Sequence, residues 1–384
     1  MSPTPVTFST PTGPASYTWE ATDEEVAARY DLDPATIVRF DLNTSPVSPA
    51  LVDRMLAAGR FVAPLSEYPP TDYRTLVEAA AGRYGVTPAE ILVGAGADEI
   101  LDIVAKTFLP TGARAIVPIP TYSMYRVVTE QRGATVVVVP RLDAAAGWAI
   151  DRDAVRAATS EHDAAVIWLC SPNNPTALAE PDGTIAALLA GLAQDAASSG
   201  RAAPVVVLDE AYAEFVGTTL LGLRDVYPAL IVVRTASKAY ALAGLRVGFA
   251  VARAEVISRM NPFRPPGSIS TISVTLVTEV LRDDSILDDN LARVEAERTR
   301  LTEALADVGW SVGPSVTNFI LIDFGSPERA AAVADGLLHR ALVPRTFGAG
   351  HPLAGYLRLT VRAPAENDRL IAAATELATE EIDR

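Results

Sequence analysis

Between residues 91 and about 251, short runs of β-branched residues alternate with longer stretches rich in Ala and Leu, and this alternation restricts the fold more than anything else in the chain. The runs sit at 116–117, 136–139, 164–169, 205–208, 231–233 and 247–251. Strands separated by helices in this way predict an α/β fold built on a mostly parallel sheet with helices on both faces. The last two runs lie only about thirteen residues apart, barely room for a crossover helix, so they are expected to run antiparallel. The turn between them then holds Lys238.

Lys238 is one of only two lysines in 384 residues. Elsewhere the chain meets its need for positive charge with arginine, which keeps its proton and so cannot act as an amine nucleophile or form an imine. The other lysine, Lys106, falls near the end of a helical pattern, where a cation suits the helix dipole. Scarcity alone leaves two readings of Lys238, a leftover surface charge or a reactive amine.

Outside the alternating region the pattern is different. Pro3, Pro5, Pro11 and Pro14 predict an extended arm over residues 1 to about 20. A short helix is expected at 22–30, a brief strand ending in a turn at 39–46, and helices at 49–59 and 73–84 around the rigid break at Glu67-Tyr-Pro-Pro70. The Pro-rich stretch 261–267 reads as a domain boundary. Beyond it, helices at 273–281, 283–308, 327–340 and 366–382 and strands at 318–323, 343–347 and 356–361 predict a smaller α+β domain. The expected division is an N-terminal arm at 1–48, partly packed on the small domain or a partner subunit, a large domain at 49–265 and a small domain at 266–384.

Composition narrows the function. Forty-seven acidic against 32 basic residues give a net charge of -15, which opposes non-specific nucleic-acid binding and means that an anionic ligand needs local positive charge. Cys170 stands alone and His162, His339 and His351 are scattered, so neither a disulfide nor a metal set is expected. No apolar run approaches membrane-spanning length and no signal pattern opens the chain, so a cytoplasmic protein is expected.

Four local patterns bear on a site, each with a plainer alternative. Gly94-Ala-Gly-Ala-Asp-Glu99 opens a helix whose first N–H groups suit a phosphate, or is ordinary strand-to-helix chemistry. Ser171-Pro-Asn-Asn-Pro-Thr176 puts two amides at the carboxyl end of a strand, where open α/β sheets bind ligands, or is a structural turn. Asp209, with Tyr212 three residues on, ends the next apolar run as a ligand-facing carboxylate or as a helix cap. Arg345 and Arg358 lie on adjacent strand-like segments and face either a cleft, where their forks suit carboxylate or phosphate, or surface acids.

Taken in order, Tyr68-Pro69, Gly96-Ala-Asp-Glu99, Pro120-Thr-Tyr-Ser-Met-Tyr125, Pro172-Asn-Asn-Pro-Thr176, Asp209-Glu-Ala-Tyr212, Ser237-Lys238 with Leu245-Arg246, and Tyr356-Leu-Arg-Leu-Thr360 make the chain resemble a known family. It is similar, over roughly residues 40 to 365, to the pyridoxal-phosphate-dependent aminotransferases of fold type I, and most similar to the histidinol-phosphate aminotransferases. The resemblance implies the large aminotransferase domain with a seven-stranded-type sheet, and pyridoxal 5'-phosphate bound through Lys238 as a Schiff base. It further implies that Asp209 pairs with the pyridine nitrogen, that Asn174 and Tyr212 bond the phenolic oxygen, and that Tyr122 stacks on the ring. Ser237, Arg246 and the backbone around Gly96, Ala97 and Asp98 would hold the phosphate. Arg358 would take the substrate carboxylate, Arg345 would help bind a substrate phosphate, and Asn43 lies in a substrate-facing segment. Tyr68 would reach the cofactor of a second subunit, which implies a homodimer with shared sites.

The chain departs from the family pattern at Leu42-Asn-Thr-Ser-Pro-Val47, at Ala177 and at Arg264-Pro-Pro-Gly-Ser268, around the substrate. Losing a polar contact there redirects specificity. The expected function is transfer of an amino group from an amino acid or amino-alcohol phosphate, histidinol-phosphate-like or aromatic, to a 2-oxo acid. A decarboxylase, lyase or oxidase on the same cofactor is the alternative. A ligand sensor on the same fold needs a basic DNA-binding face, which is not expected of so acidic a sequence.

Overall fold

The structure is a computed structural model and describes residues 21–382, so the expected arm at 1–20 lies outside the described residues. The first helix, α1 (Asp23–Tyr30), begins where the Thr22 hydroxyl accepts from the Glu25 N–H and the Glu25 carboxylate accepts from the Thr22 N–H. β1 (Val38–Arg39), α2 (Ala50–Ala58) and α3 (Arg74–Tyr84) follow. Then comes the alternation: β2 (Ile91–Gly94), α4 (Gly96–Phe108), β3 (Arg114–Ile119), α5 (Met124–Gln131), β4 (Thr135–Pro140), α6 (Arg152–His162), β5 (Val166–Cys170), α7 (Thr184–Ser199), β6 (Val205–Asp209), β7 (Leu230–Thr235), β8 (Gly248–Val251) and α8 (Ala254–Met260).

These strands form one seven-stranded sheet in the order β2-β8-β7-β6-β5-β3-β4. β3 to β7 are mutually parallel, whereas β8 runs antiparallel to both β7 and β2. The expected reversal between the last two strands is therefore present, with Lys238 in the turn that makes it. Alternate residues serve the two faces: Ile167 and Leu169 of β5 join one buried core, and Val166 and Trp168 join the other. Every residue of β5 is buried, as expected for a strand covered by helices on both sides.

The C-terminal part contains α9 (Thr271–Leu281), α10 (Asp284–Asp307), β9 (Ser311–Val312), β10 (Phe319–Asp323), α11 (Pro327–Leu338), β11 (Leu342–Val343), β12 (Tyr356–Thr360) and α12 (Pro364–Ile382). Three departures from the sequence reading have physical causes. The strand expected at 343–347 stops at Val343, because Pro344 has no N–H with which to extend a ladder. The strand expected at 39–46 pairs only at Val38–Arg39, with β11, before Asn43 turns the backbone into the left-handed region at φ 53°. Third, the Pro-rich stretch at 261–267 does not separate the two cores: Val274, Leu276, Val277, Val280 and Leu281 of α9 belong to a large-domain core. The small-domain core gathers Val38 and Phe40 with Leu301, Leu305, Ile320, Leu357 and Leu370.

Candidate active site

A cavity of about 440 Å³ opens where the carboxyl ends of β5, β6 and β7 meet the small domain. Parallel strands deliver their last residues to one edge, so Cys170 and Asp209 lie side by side in register. Asp209 is buried; its Oδ2 accepts from the Tyr125 hydroxyl at 2.8 Å and its Oδ1 from the Ala211 N–H at 3.0 Å. Burial pushes its carboxyl up to about 6 against the pull of those two hydrogen bonds. Tyr125 is itself fixed by stacking on Trp168, with ring centroids 5.7 Å apart, while the Trp168 indole donates to Thr129 one turn further along α5.

Lys238 enters from the β7–β8 turn. Its Nζ donates to the Asn43 carbonyl at 3.3 Å and lies 5.7 Å from the centre of the Tyr212 ring. Burial first, and the Arg358 charge second, lower its amine to about 8. The Asn43 side chain donates to the Tyr212 hydroxyl at 3.1 Å, and burial raises that hydroxyl's pKa. The left-handed turn at Asn43 thus brings one residue of the N-terminal segment onto both Lys238 and Tyr212.

The first turn of α4 forms one wall, with Ala97 and Asp98 lining the cavity beside Ser237 and Arg246. Asp98 accepts from the Tyr122 hydroxyl at 3.0 Å and from Arg246 at 3.2 Å. Gly96 stands behind this wall and not in the lining. It has φ +82°, and a side chain there would meet the Arg246 guanidinium. A side chain at Gly248 would likewise run into the Gly96 backbone. Two glycines therefore let β8, Arg246 and the N-terminus of α4 converge on a cradle whose N–H groups and guanidinium suit a phosphate dianion.

Arg345 and Arg358 stand directly opposite each other in an isolated antiparallel bridge, exchanging N–H···O bonds of 3.1 and 3.0 Å, and both line the cavity. Arg358 also donates to the Asn174 side chain at 2.6 Å and to the Asp41 carbonyl. Asp41 in turn takes two bonds from Arg39, at 2.9 and 2.6 Å. Beyond Arg345 the wall is made by Phe347 and His351, stacked with ring centroids 4.9 Å apart.

The cavity thus collects Asn43, Ala97, Asp98, Tyr122, Asn174, Asp209, Tyr212, Ser237, Lys238, Arg246, Arg345 and Arg358. Tyr68 is not among them: it is 90% exposed and lies outside the lining. Sequence reading omits Tyr125, Thr235, Phe347 and His351. Tyr125 and Thr235 had a signal, the first sharing a six-residue motif with Tyr122 and the second lying two residues before Ser237-Lys238, whereas Phe347 and His351 sit in stretches without one. Among the described residues no group of His, Cys, Asp and Glu is arranged to hold a metal ion. A buried carboxylate for a ring nitrogen, an amine made easier to deprotonate and a cradle for a phosphate are together the donor set that pyridoxal 5'-phosphate requires.

Comparison with known proteins agrees. The profile of the aminotransferase class I and II family matches residues 43–374. A histidinol-phosphate aminotransferase of Symbiobacterium thermophilum is 34% identical over 88% of this chain and 89% of its own length. One from Thermobifida fusca is 36% identical over 87% and 88%. The crystal structure of the Sinorhizobium meliloti histidinol-phosphate aminotransferase in complex with pyridoxal-5'-phosphate superposes with a TM-score of 0.82, at 25% identity, over 95% of this chain and 96% of that one. With this fold, this cavity and these relatives, the chain belongs to the class I and II aminotransferases and is a pyridoxal-phosphate-dependent aminotransferase.

Proposed function

We propose that the enzyme moves the amino group of histidinol phosphate, or of a related aromatic amino donor, to 2-oxoglutarate. The observation that carries this reading is the Arg345–Arg358 pair, two arginines joined backbone to backbone that both line the cavity holding Lys238. In histidinol phosphate the phosphorus is three bonds from the amino-bearing carbon, and in glutamate so is the side-chain carboxylate carbon. One arginine therefore serves histidinol phosphate and 2-oxoglutarate at the same distance, while the second takes the carboxylate that amino-acid and 2-oxo-acid substrates, but not histidinol phosphate, carry on the reacting carbon. Arg345 fills the first role and Arg358, oriented by Asn174 and the Arg39–Asp41 pair, the second.

Bound pyridoxal phosphate supplies an aldehyde that condenses with amines and a ring that draws electrons from the bonds at the amino-bearing carbon. Lys238 anchors it, then its Nζ takes the proton from that carbon and later returns one. Asp209, held by Tyr125 and Ala211, keeps the ring nitrogen protonated. Asn174 and Tyr212 would hydrogen-bond the phenolic oxygen, and Tyr122 would pack on the ring. Ser237, Arg246 and the α4 amides hold the phosphate. Tyr68, exposed in the single chain, reaches the cofactor of a second subunit in a homodimer. The acidic chain with its lone cysteine suits a cytoplasmic location, and among the described residues no helix is long and apolar enough to cross a membrane.

The test is a half-reaction. Purified holoenzyme mixed with histidinol phosphate should convert its cofactor to the amine form, seen by absorbance, and 2-oxoglutarate should restore it. Release of carbon dioxide or peroxide in place of this conversion would establish the decarboxylase or oxidase alternative. Conversion by aromatic amino acids but not by histidinol phosphate would move the substrate to that class.

A further inference from the structure

His351 lies outside every motif that points to the cofactor, yet it lines the cavity in the loop that follows Arg345. Two contacts define its ring. One face stacks on Phe347 at an interplanar angle of 19°, and Nδ1 accepts the Leu353 N–H at 3.0 Å. A nitrogen that accepts a hydrogen bond carries no hydrogen, so the neutral ring bears its hydrogen on Nε2 and is a donor there. Burial, and then the nearby Arg345 charge, favour that neutral form.

We infer that His351 is a specificity-determining residue: its Nε2–H and the Arg345 guanidinium together bind the distal anionic group, carboxylate or phosphate, that lies three bonds from the amino-bearing carbon of the donor or acceptor. This rests on the amino-transfer reading and deepens it by naming the group that the enzyme recognises on a substrate with a distal anion. A neutral donor near a cation adds direction to the charge of Arg345. The Phe347 stack and the Leu353 hydrogen bond restrict the ring's rotation, so less entropy is lost when the anion arrives. An uncharged polar group of the same shape would gain little from the pair.

The matched probes are glutamate and glutamine, which differ only in whether that distal group is charged. In holoenzyme half-reactions followed by cofactor absorbance, the wild-type protein should saturate at a lower concentration of glutamate than of glutamine. His351→Asn can keep an acceptor for the Leu353 N–H while withdrawing the donor from the anion. It should raise the half-saturating concentration of glutamate about tenfold, with less than about a twofold change for glutamine and in the maximal rate. His351→Gln, whose amide reaches further, should recover part of the loss. Equal shifts for both amino acids mean a purely structural role and overturn the inference, as do no shift at all or a wild-type protein that does not prefer glutamate. Histidinol phosphate is run as a separate arm. If the wild type ignores it while His351→Asn still loses glutamate selectively, the substrate reading fails and the anion site stands.

Discussion

With its amine lowered to about 8, Lys238 is about one-tenth neutral at pH 7, about 300-fold more than an ordinary lysine. Only the neutral amine attacks an aldehyde. Covalent attachment of pyridoxal phosphate to the cofactor-free protein should therefore accelerate about tenfold per unit from pH 6 to pH 8 and then level off, by stopped-flow absorbance. A rate still rising at pH 10 would show that burial does not tune this lysine. Asp209 works in the opposite sense. Raised to about 6, it is protonated below that pH in the cofactor-free protein and must lose the proton to pair with a charged ring nitrogen. Cofactor affinity should thus weaken as pH falls through 6. Tyr125→Phe keeps the stack on Trp168 but removes one of the two donors to that carboxylate. It should move the midpoint upward and weaken cofactor binding about tenfold at pH 7, and an unchanged titration would mean that the hydroxyl does not support the charge. Asp209 was legible as a carboxylate ending an apolar run. That Tyr125 and not Tyr122 would bond it was not, because the choice depends on how α5 packs against β5 and β6.

At the level of elements, the junction of α4 with β8 shapes the proposed phosphate cradle. Gly248→Ala would force a methyl group against the Gly96 carbonyl carbon and the Ala97 nitrogen, which cannot yield without moving the first turn of α4. Overpacking of this kind costs about 1–3 kcal/mol and should also weaken binding of inorganic phosphate to the cofactor-free protein. Gly82, inside α3 with nothing within 4 Å of an added Cβ, predicts the reverse. Gly82→Ala should stabilise by about 0.5–1 kcal/mol and leave phosphate binding alone, as thermal unfolding and calorimetry would read. Two substitutions of the same kind with opposite signs separate the effect of the junction from the general effect of replacing glycine. Elements were legible to the extent that their signals were local. The β7–β8 reversal followed from a short spacing, and α1 from its acidic first turn. The membership of α9 was not legible: nine of its eleven residues are buried, Thr271, Thr275 and Thr278 among them, so polarity marked no outward face, and the prolines ahead of it resembled a boundary.

At the scale of the whole molecule, the exposure of Tyr68 bears on assembly. In the single chain Val62, Leu65 and Tyr68 are exposed on one stretch of sequence, Leu65 by 62% and Tyr68 by 90%, and Phe263 is exposed as well. Large apolar side chains left in water suit a surface that a second copy covers. A homodimer with shared sites predicts complementation between two defective proteins. Lys238→Ala lacks the anchoring amine, and Tyr68→Ala lacks the group contributed to the neighbour. In a heterodimer of the two, one site carries both lesions and the other carries neither. After equal mixing and random exchange, half of the dimers are heterodimers with one intact site of two, so activity should recover to about a quarter of wild type. Size-exclusion chromatography with light scattering reports the assembly, and cofactor absorbance counts the restored sites. If Tyr68 acts within its own chain, every protomer in the mixture carries one lesion at its own site, and mixing restores nothing. A monomer in solution at assay concentration would remove the shared site altogether.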